Sequence, residues 1–230
     1  MDATSGPDGR GGPHVFVGSL EAPVLDPGDH HHLAKSLRLR DGDPLTLSDG
    51  RGHWCAARFD VRPEVCLEVF MVPALPPVGV GFALVKGSKP ELVVQKLTEL
   101  GVDAIAVFAA DRSVVRWDDA RQAKNQRRLE IVAREAAMQS RRVRLPELLI
   151  GVSFVDLAGR PSVALADPGS EEPAGGPAPS DPVRWILIGP EGGWTDDERQ
   201  RCPRRVSLGP TILRAETAAI AAGVRLTSNR

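Results

Sequence analysis

Residues 186–194 read Ile-Leu-Ile-Gly-Pro-Glu-Gly-Gly-Trp, and Thr195-Asp196-Asp197-Glu198 follows at once. An apolar strand therefore runs into a glycine-rich turn, and a Thr-x-x-Glu capping box opens a helix behind it. Glycines at such a junction let the backbone approach a ligand closely and adopt positive φ. Alone, such a segment is more often only a turn. It lacks the G-x-x-x-x-G-K-[ST] spacing of a triphosphate loop. Gly79-Val80-Gly81 precedes a strand, so it fails the context of a dinucleotide fingerprint. His30-His31-His32 offers three imidazoles, but neighbours in one turn point different ways. No cysteine or paired acid completes a ligand set, so no metal is expected.

A second source of chemistry is charge. Ten Lys/Arg fall between Arg112 and Arg144 against Asp118, Asp119, Glu130 and Glu135, an excess of +6 in a chain of net charge −1. Residues 1–72 carry 7 Lys/Arg and 11 Asp/Glu, a net of −4. A basic block of this kind is either a nucleic-acid footprint or a solvated helix face.

The elements that must position these residues change character along the chain. Residues 1–13 are rich in Gly, Pro and Asp and are expected to form a disordered tail. From 14 to 72, short apolar stretches broken by turns, including Asp49-Gly50, predict a small β-barrel, with a helical turn or two at Asp29 to Leu39. Pro73-Ala74-Leu75-Pro76-Pro77 lacks the donors a strand needs and reads as part of a linker over 73–78. From 79 to 230 strands alternate with helices. Strands are expected at Val78 to Val85, Val102 to Phe108, Ser162 to Ala166, Val183 to Ile188 and Val206 to Leu208. Helices are expected from a capping box at Ser88 to Gly101, from Asp118 to Ser140, after Thr195, and from Leu213 to about Ala222. Such alternation predicts a parallel sheet covered on both faces. The Pro-, Gly- and Glu-rich stretch 167–182 is expected to be a mobile loop.

Composition excludes several classes. Hydrophobic residues are 42% and charged residues 26%, as in a globular chain. No apolar run reaches the ~18 residues of a membrane span. The polar start shows no basic stretch followed by an apolar one, so a cytoplasmic chain is expected. Cys55, Cys66 and Cys202 are too few and too scattered for a disulfide framework.

Several motifs in order resemble one family. They are Lys86-Gly87, Gln95 to Val102, Arg112-Ser113-Val114-Val115, Glu135 to Ser140 with Arg142 and Pro146, Gly189 to Gly193, Leu208-Gly209 and Ile212 to Ala218. With His32-Leu33, Leu37-Arg38 and Gly42-Asp43, the likeness spans roughly 15 to 225. It resembles the RsmE family of SPOUT-class methyltransferases, which methylate N3 of a uridine in small-subunit (16S) ribosomal RNA. Arg141 stands where that family usually has glycine, and Thr211 where it usually has a basic residue.

The resemblance implies a PUA-like N-terminal barrel and a C-terminal α/β SPOUT domain with a deep trefoil knot. It implies S-adenosylmethionine as cofactor, no metal, and a homodimer that shares the site. Leu165, Ile188, Gly189, Pro190, Glu191, Gly192, Gly193, Leu208, Gly209, Ile212, Leu213, Arg214 and Thr217 are the expected cofactor residues. Arg112 and Arg214 are the candidates for stabilising the uridine anion, since a guanidinium stays charged and presents forked donors. Glu191 is the candidate for orienting an arginine across the subunit interface or taking the proton. Expected RNA contacts are His32, Lys35 and Arg38 in the first domain, with Lys86, Lys96, Arg116, Arg134, Gln139, Arg142 and Arg144 in the second. The RNA is that of the small subunit, free or within the assembled 30S particle. The small residues Ala218, Ala219, Ala221 and Ala222 are expected to let the last helix pack closely on a partner. Two alternatives stay open: a non-catalytic RNA-binding assembly factor, and a SPOUT methyltransferase of another RNA.

Overall fold

The computed structural model describes residues 6–66, 68–84, 89–168, 170 and 182–228. The expectations for Ser88, Lys86-Gly87, residues 1–5, and 169 and 171–181 of the 167–182 loop lie outside these residues. The chain divides into two compact units. One comprises residues up to Leu75 together with Arg134–Leu145, the other Pro76–Ala133 with Pro146 onward. The sequence boundaries left residues 134–145 with the second domain. A continuous helical pattern there conceals a change of packing partner, because the helix period is the same on both sides.

The first unit holds β1 (His14–Phe16), β2 (Pro44–Ser48), β3 (His53–Arg58), β4 (Glu64–Val65) and β5 (Phe70–Met71). β1 pairs parallel with β2, β2 antiparallel with β3, and both β4 and β5 lie against β3. Between β1 and β2, α1 (Pro27–His31) passes into a π-helical turn at His32–Ser36. Alternation places Leu45, Leu47, Cys55 and Ala57 in the core with Val15, Leu25, Leu33 and Phe59. The opposite face of β2 buries Thr46 and Ser48, and both hydroxyls are bonded. Thr46 Oγ1 meets His14 Nδ1 at 2.9 Å, and Ser48 Oγ donates to the His53 and Val143 carbonyls at 2.8 and 3.1 Å. Asp49-Gly50 does not make a two-residue turn. The loop spans Asp49 to Gly52, with Gly50 at φ 72° and Gly52 at φ 115°. The Asp49 carboxylate accepts from the Arg51 and His53 amides and closes it.

The second unit is a six-stranded, all-parallel sheet in the order β11-β9-β10-β6-β7-β8. Its strands are β6 (Gly79–Ala83), β7 (Ala104–Ala109), β8 (Glu147–Ser153), β9 (Val163–Ala166), β10 (Trp185–Ile188) and β11 (Arg205–Val206). Helices α2 (Lys89–Glu99), α3 (Asp119–Gln139), α4 (Phe154–Ala158), α5 (Asp196–Arg201) and α6 (Ala215–Thr227) complete the element order; α3 continues past Ala133 into residues of the first unit. Gly101 ends α2 at φ 89°, as its position after the helix requires. Gly79 and Gly81 leave room for neighbouring side chains: a Cβ on either would meet the ring of Trp185 at 2.4 Å or Leu187 at 2.7 Å.

Sequence reading missed β8 and α4. β8 is an edge strand with a mixed burial pattern, and Gly151 (φ 75°) sits where its register against β7 shifts. β11 stops at Val206, and α6 runs on to Thr227. The small face of α6 is occupied within the chain. Ala218, Ala219 and Ala222 are buried in the unit's own core, and a Cβ on Gly223 would meet Leu97 of α2 at 2.7 Å. For Ala218, Ala219 and Ala222 the expectation of packing on a partner is therefore corrected; Ala221 is half-buried and outside that core.

Candidate active site

Two loops and the end of one strand enclose a cleft of about 320 Å³ in the second unit. The first loop leaves β10, which is buried along its whole length. Gly189 follows, and a Cβ there would meet the Trp194 ring at 2.9 Å. The Gly193 amide, at φ 71°, donates to the Pro190 carbonyl at 2.8 Å and closes the turn. Trp194 is 1% exposed, and its Nε1 donates to the Ala166 carbonyl at 2.9 Å, tying the loop to the end of β9. Thr195 and Glu198 form the reciprocal capping box expected of them, which fixes the start of α5.

Two arginines hold this loop from outside the cleft. Arg112 Nη1 donates to the carbonyls of Gly192 and Trp194 at 3.0 and 3.3 Å. Arg199 donates from Nη1 to the Trp194 carbonyl at 2.9 Å and grips Asp167 through Nε and Nη2 at 2.9 and 3.3 Å. Asp167 lines the cleft just past β9, so its carboxylate is presented in a fixed orientation.

The second loop follows β11. Gly209 takes φ 135°, the Ser207 hydroxyl bonds across it, and Arg225 Nη1 donates to the Ser207 carbonyl at 3.1 Å. Leu208, Gly209, Thr211, Ile212 and Leu213 lead to Arg214 at the N-cap of α6. The Arg214 side chain makes no cap bond and is exposed. At the next turn Lys89 pairs with Glu216 at 3.0 Å. Burial alone would raise the Glu216 carboxyl, but its own amide, Lys89 and Arg214 together hold it below the ordinary range.

Most expected cofactor residues converge here: Ile188, Gly189, Pro190, Glu191, Gly193, Leu208, Gly209, Ile212, Leu213 and Arg214 all line the cleft. Three do not. Leu165 is fully buried in the core cluster that also holds Trp194 and Cys202, Gly192 faces Arg112 rather than the cleft, and Thr217 lies outside the lining. Sequence reading missed Asp167, Trp194, Thr211, Ala215 and Ala218. Ala215 and Ala218 stand one helical turn apart on α6, but sequence reading assigns Ala218 to packing on a partner and Ala215 to no role. Of the candidate catalytic residues, Glu191 and Arg214 line the cleft, whereas Arg112 holds the loop from behind.

The expected RNA residues fall into groups. His32, Lys35 and Arg38 are exposed in the first unit, and Arg38 has φ 59°. Arg116 and Gln139 are exposed, and Lys96 is paired with Glu99 at 2.8 Å. Arg134 is committed within the first unit, through Nη2 to Asp29 at 2.5 Å and to the Phe16 carbonyl at 3.2 Å. Arg144 bonds the Arg51 carbonyl and donates to the Val72 carbonyl at 2.6 Å. These two are therefore removed from the set of free phosphate contacts. Arg142 is half-buried, and its carbonyl bonds His14 Nε2 at 3.1 Å. Among the described residues no cluster of His, Cys, Asp or Glu could hold a metal ion, and no helix is long and apolar enough to cross a membrane.

Comparison with known proteins fits this geometry. Residues 73–227 match the RNA methyltransferase domain family, and residues 25–59 match the RNA methyltransferase PUA domain. A ribosomal RNA small subunit methyltransferase E from Mycobacterium bovis is 35% identical over 218 residues, covering 86% of this chain and 83% of the relative. The chain belongs to the ribosomal RNA small subunit methyltransferase E family. The RsmE resemblance carried by Gly189–Gly193 and Ile212–Ala218 is thereby borne out, and a non-catalytic assembly factor gives way to an rRNA methyltransferase. A Legionella pneumophila structure with the cofactor SAM bound superposes with a TM-score of 0.79 at 28% identity, covering 94% of this chain and 97% of that one. The methyltransferase E of Neisseria gonorrhoeae, bound to S-adenosyl methionine, gives 0.76 at 26% identity with the same coverage. A PUA-like unit followed by a parallel α/β unit is the arrangement the sequence predicted.

Proposed function

We propose that this enzyme is a cytoplasmic homodimer that transfers the methyl group of S-adenosylmethionine to N3 of a uridine in small-subunit ribosomal RNA, free or assembled. The observation that carries the reading is the cleft between the 189–194 and 208–214 loops, in a chain of the methyltransferase E family.

The cleft suits the cofactor. Its volume falls in the ~300–1,000 Å³ range of small-molecule sites. Ile188, Leu208, Leu213, Ala215 and Ala218 offer an apolar slot for a purine, the glycines expose backbone groups, and Asp167 supplies a fixed carboxylate for hydroxyl or cationic groups. When bound, the sulfonium supplies an already activated methyl group. What remains for the protein is to hold the uridine imide and stabilise its anion. Arg214 is suited to that: it stands at the cleft, and among the described residues its guanidinium makes no hydrogen bond or ion pair. Arg112 acts one step back by fixing the loop that carries Glu191. Glu191 is exposed at the cleft, placed to orient a partner's arginine. The dimer is supported by Ile212, which lines the cleft yet is 86% exposed in a single chain. The strand order β11-β9-β10-β6-β7-β8, with both cleft loops leaving the β9–β11 end of the sheet, supports a trefoil knot there.

Mass-spectrometric mapping of small-subunit rRNA from cells with and without the protein is the direct test. N3-methyluridine should be present at one position only when the protein is. An Arg214→Ala variant should lose turnover by about 10²–10³-fold even at saturating cofactor, the scale of one charge-stabilising donor. Identical uridine methylation with and without the protein would overturn the reading.

A further inference from the structure

A second cleft of about 400 Å³ lies in the same unit and shares no lining residue with the first. One wall is the start of α3, where Arg121, Asn125 and Arg128 recur at i, i+4 and i+7 and so share a face. The other wall is the segment leading into α3, with Val114, Arg116 and Trp117. The charges are not equivalent. Arg128 Nε is paired with Glu91 at 2.9 Å. Among the described residues, the guanidinia of Arg116 and Arg121 make no hydrogen bond or ion pair, and both are exposed. The cleft thus holds three cations against one carboxylate that is already paired. It also holds an aromatic ring of a kind the rest of the molecule hides. Trp54, Trp185 and Trp194 are 1%, 9% and 1% exposed, whereas Trp117 is only partly buried. Val114 beside it is 78% exposed.

We propose that this cleft is a subsite for one nucleotide of a single-stranded RNA segment, its phosphate held by Arg116, Arg121 and Asn125 and its base stacked on Trp117 beside Val114. Unpaired guanidinia match phosphate oxygens with two parallel donors, and an indole accepts any base by its face. The inference rests on the reading above only in taking RNA as the ligand. It refines the role of the basic segment, because the contact lies at 116–125 and not at 134–144.

The test uses the full chain and a fluorescein-labelled single-stranded RNA decamer, read by anisotropy across a salt series. Arg116→Gln with Arg121→Gln should flatten the log K versus log[salt] slope by about 0.7, the contribution of the single phosphate that the two arginines share. Trp117 also packs against the unit's core, so both variants are checked for melting temperature: Trp117→Leu should weaken binding about tenfold or more, and Trp117→Phe, which keeps an aromatic face, should restore most of it. Cofactor affinity by calorimetry should not move in any variant. With rRNA as substrate, KM should rise and kcat should hold. An unchanged slope in the double variant, or equal binding by the Leu and Phe variants, overturns the subsite. So does dissociation of a dimer with unaltered RNA affinity, which would make the cleft a contact between copies of the chain. A wild-type protein that methylates no rRNA, with variants that still lose RNA affinity, would sink the functional reading and leave the subsite standing.

Discussion

The two halves of the basic segment differ in what their arginines do. In residues 112–128, Arg116 and Arg121 stand exposed with guanidinia unpaired among the described residues, Arg128 pairs with Glu91, and Arg112 reaches back only to bond two carbonyls of the glycine loop. In residues 134–144, which belong to the other unit, Arg134 and Arg144 are bonded to groups from sequence-distant segments, and Arg134 lies 5.9 Å from the centre of the Phe16 ring. One stretch keeps its charge available to an external anion. The other uses charge as internal structure, where one guanidinium can bond carbonyls from several segments at once. Counting positive residues along a sequence cannot separate these uses, because the deciding partners, Asp29 and the carbonyls of residues 16, 51 and 72, are distant in the chain.

The comparison breaks if the second half can be neutralised without harm. Arg134→Ala with Arg144→Ala should destabilise the first unit by about 4 kcal/mol, since each removes hydrogen bonds to or from a charged group worth roughly 1.5–3 kcal/mol. Hydrogen exchange of β2 and β3 amides in the full chain should report it. Arg116→Gln with Arg121→Gln should change those amides and the melting temperature very little, within about 0.5 kcal/mol. Equal stability losses in the two pairs would erase the distinction.

A slightly smaller effect depends on pH. His14 is 3% exposed and bonded to Thr46 and the Arg142 carbonyl. Burial lowers its pKa from 6.5 to about 4, the Arg142 carbonyl pulling the other way and Arg141 adding to the fall. A base whose folded pKa is depressed contributes stability above its unfolded pKa and loses it as pH drops. Stability of the first unit should therefore decline from about pH 6.5 and level off near pH 4, by up to about 3 kcal/mol. A His14→Gln variant should lose that slope even if it is less stable at neutral pH. An unchanged slope would mean that the acid sensitivity lies elsewhere.

The legible parts of the molecule share a physical reason. The strand–glycine loop–capped helix at 186–198 could be read because its signals are local: apolar run, turn glycines and a Thr-x-x-Glu box all report on neighbours within a few residues. The positions read wrongly depend on distant partners. Leu165 has the character of a pocket residue, but it is wholly buried in the core cluster that also holds Phe108, Trp194 and Cys202. Gly192 looks like a ligand glycine, but a Cβ there would meet Arg112 Cβ at 3.3 Å, so that space belongs to the arginine. The alanines of α6 permit close packing on any partner, and only the fold shows that α2 takes it. Asp167 was hidden by its low-complexity surroundings, although its grip by Arg199 makes it one of the most firmly oriented charges at the cleft.

The smallest effect tests the internal half of the basic segment at one backbone position. Arg141 sits at φ 58°, a left-handed conformation that costs a residue with a Cβ roughly 1–2 kcal/mol and glycine almost nothing. The resembling family usually carries glycine there, which fits the geometry. The arginine gains little in return: Nη2 reaches the Gly9 carbonyl at a long 3.4 Å, and among the described residues Nη1 is buried without a partner. Arg141→Gly should therefore stabilise the first unit. The gain should be only about 0.5–1 kcal/mol, since glycine also loses more backbone entropy on folding. It should also weaken the acid dependence slightly, because Arg141 is one of the charges that disfavour protonated His14. Measured in the His14→Gln background, the same change should give the stability gain without the pH effect. A loss of stability on Arg141→Gly would show that the guanidinium contributes more than its backbone costs, and would place Arg141 with Arg134 and Arg144 among the arginines the fold depends on.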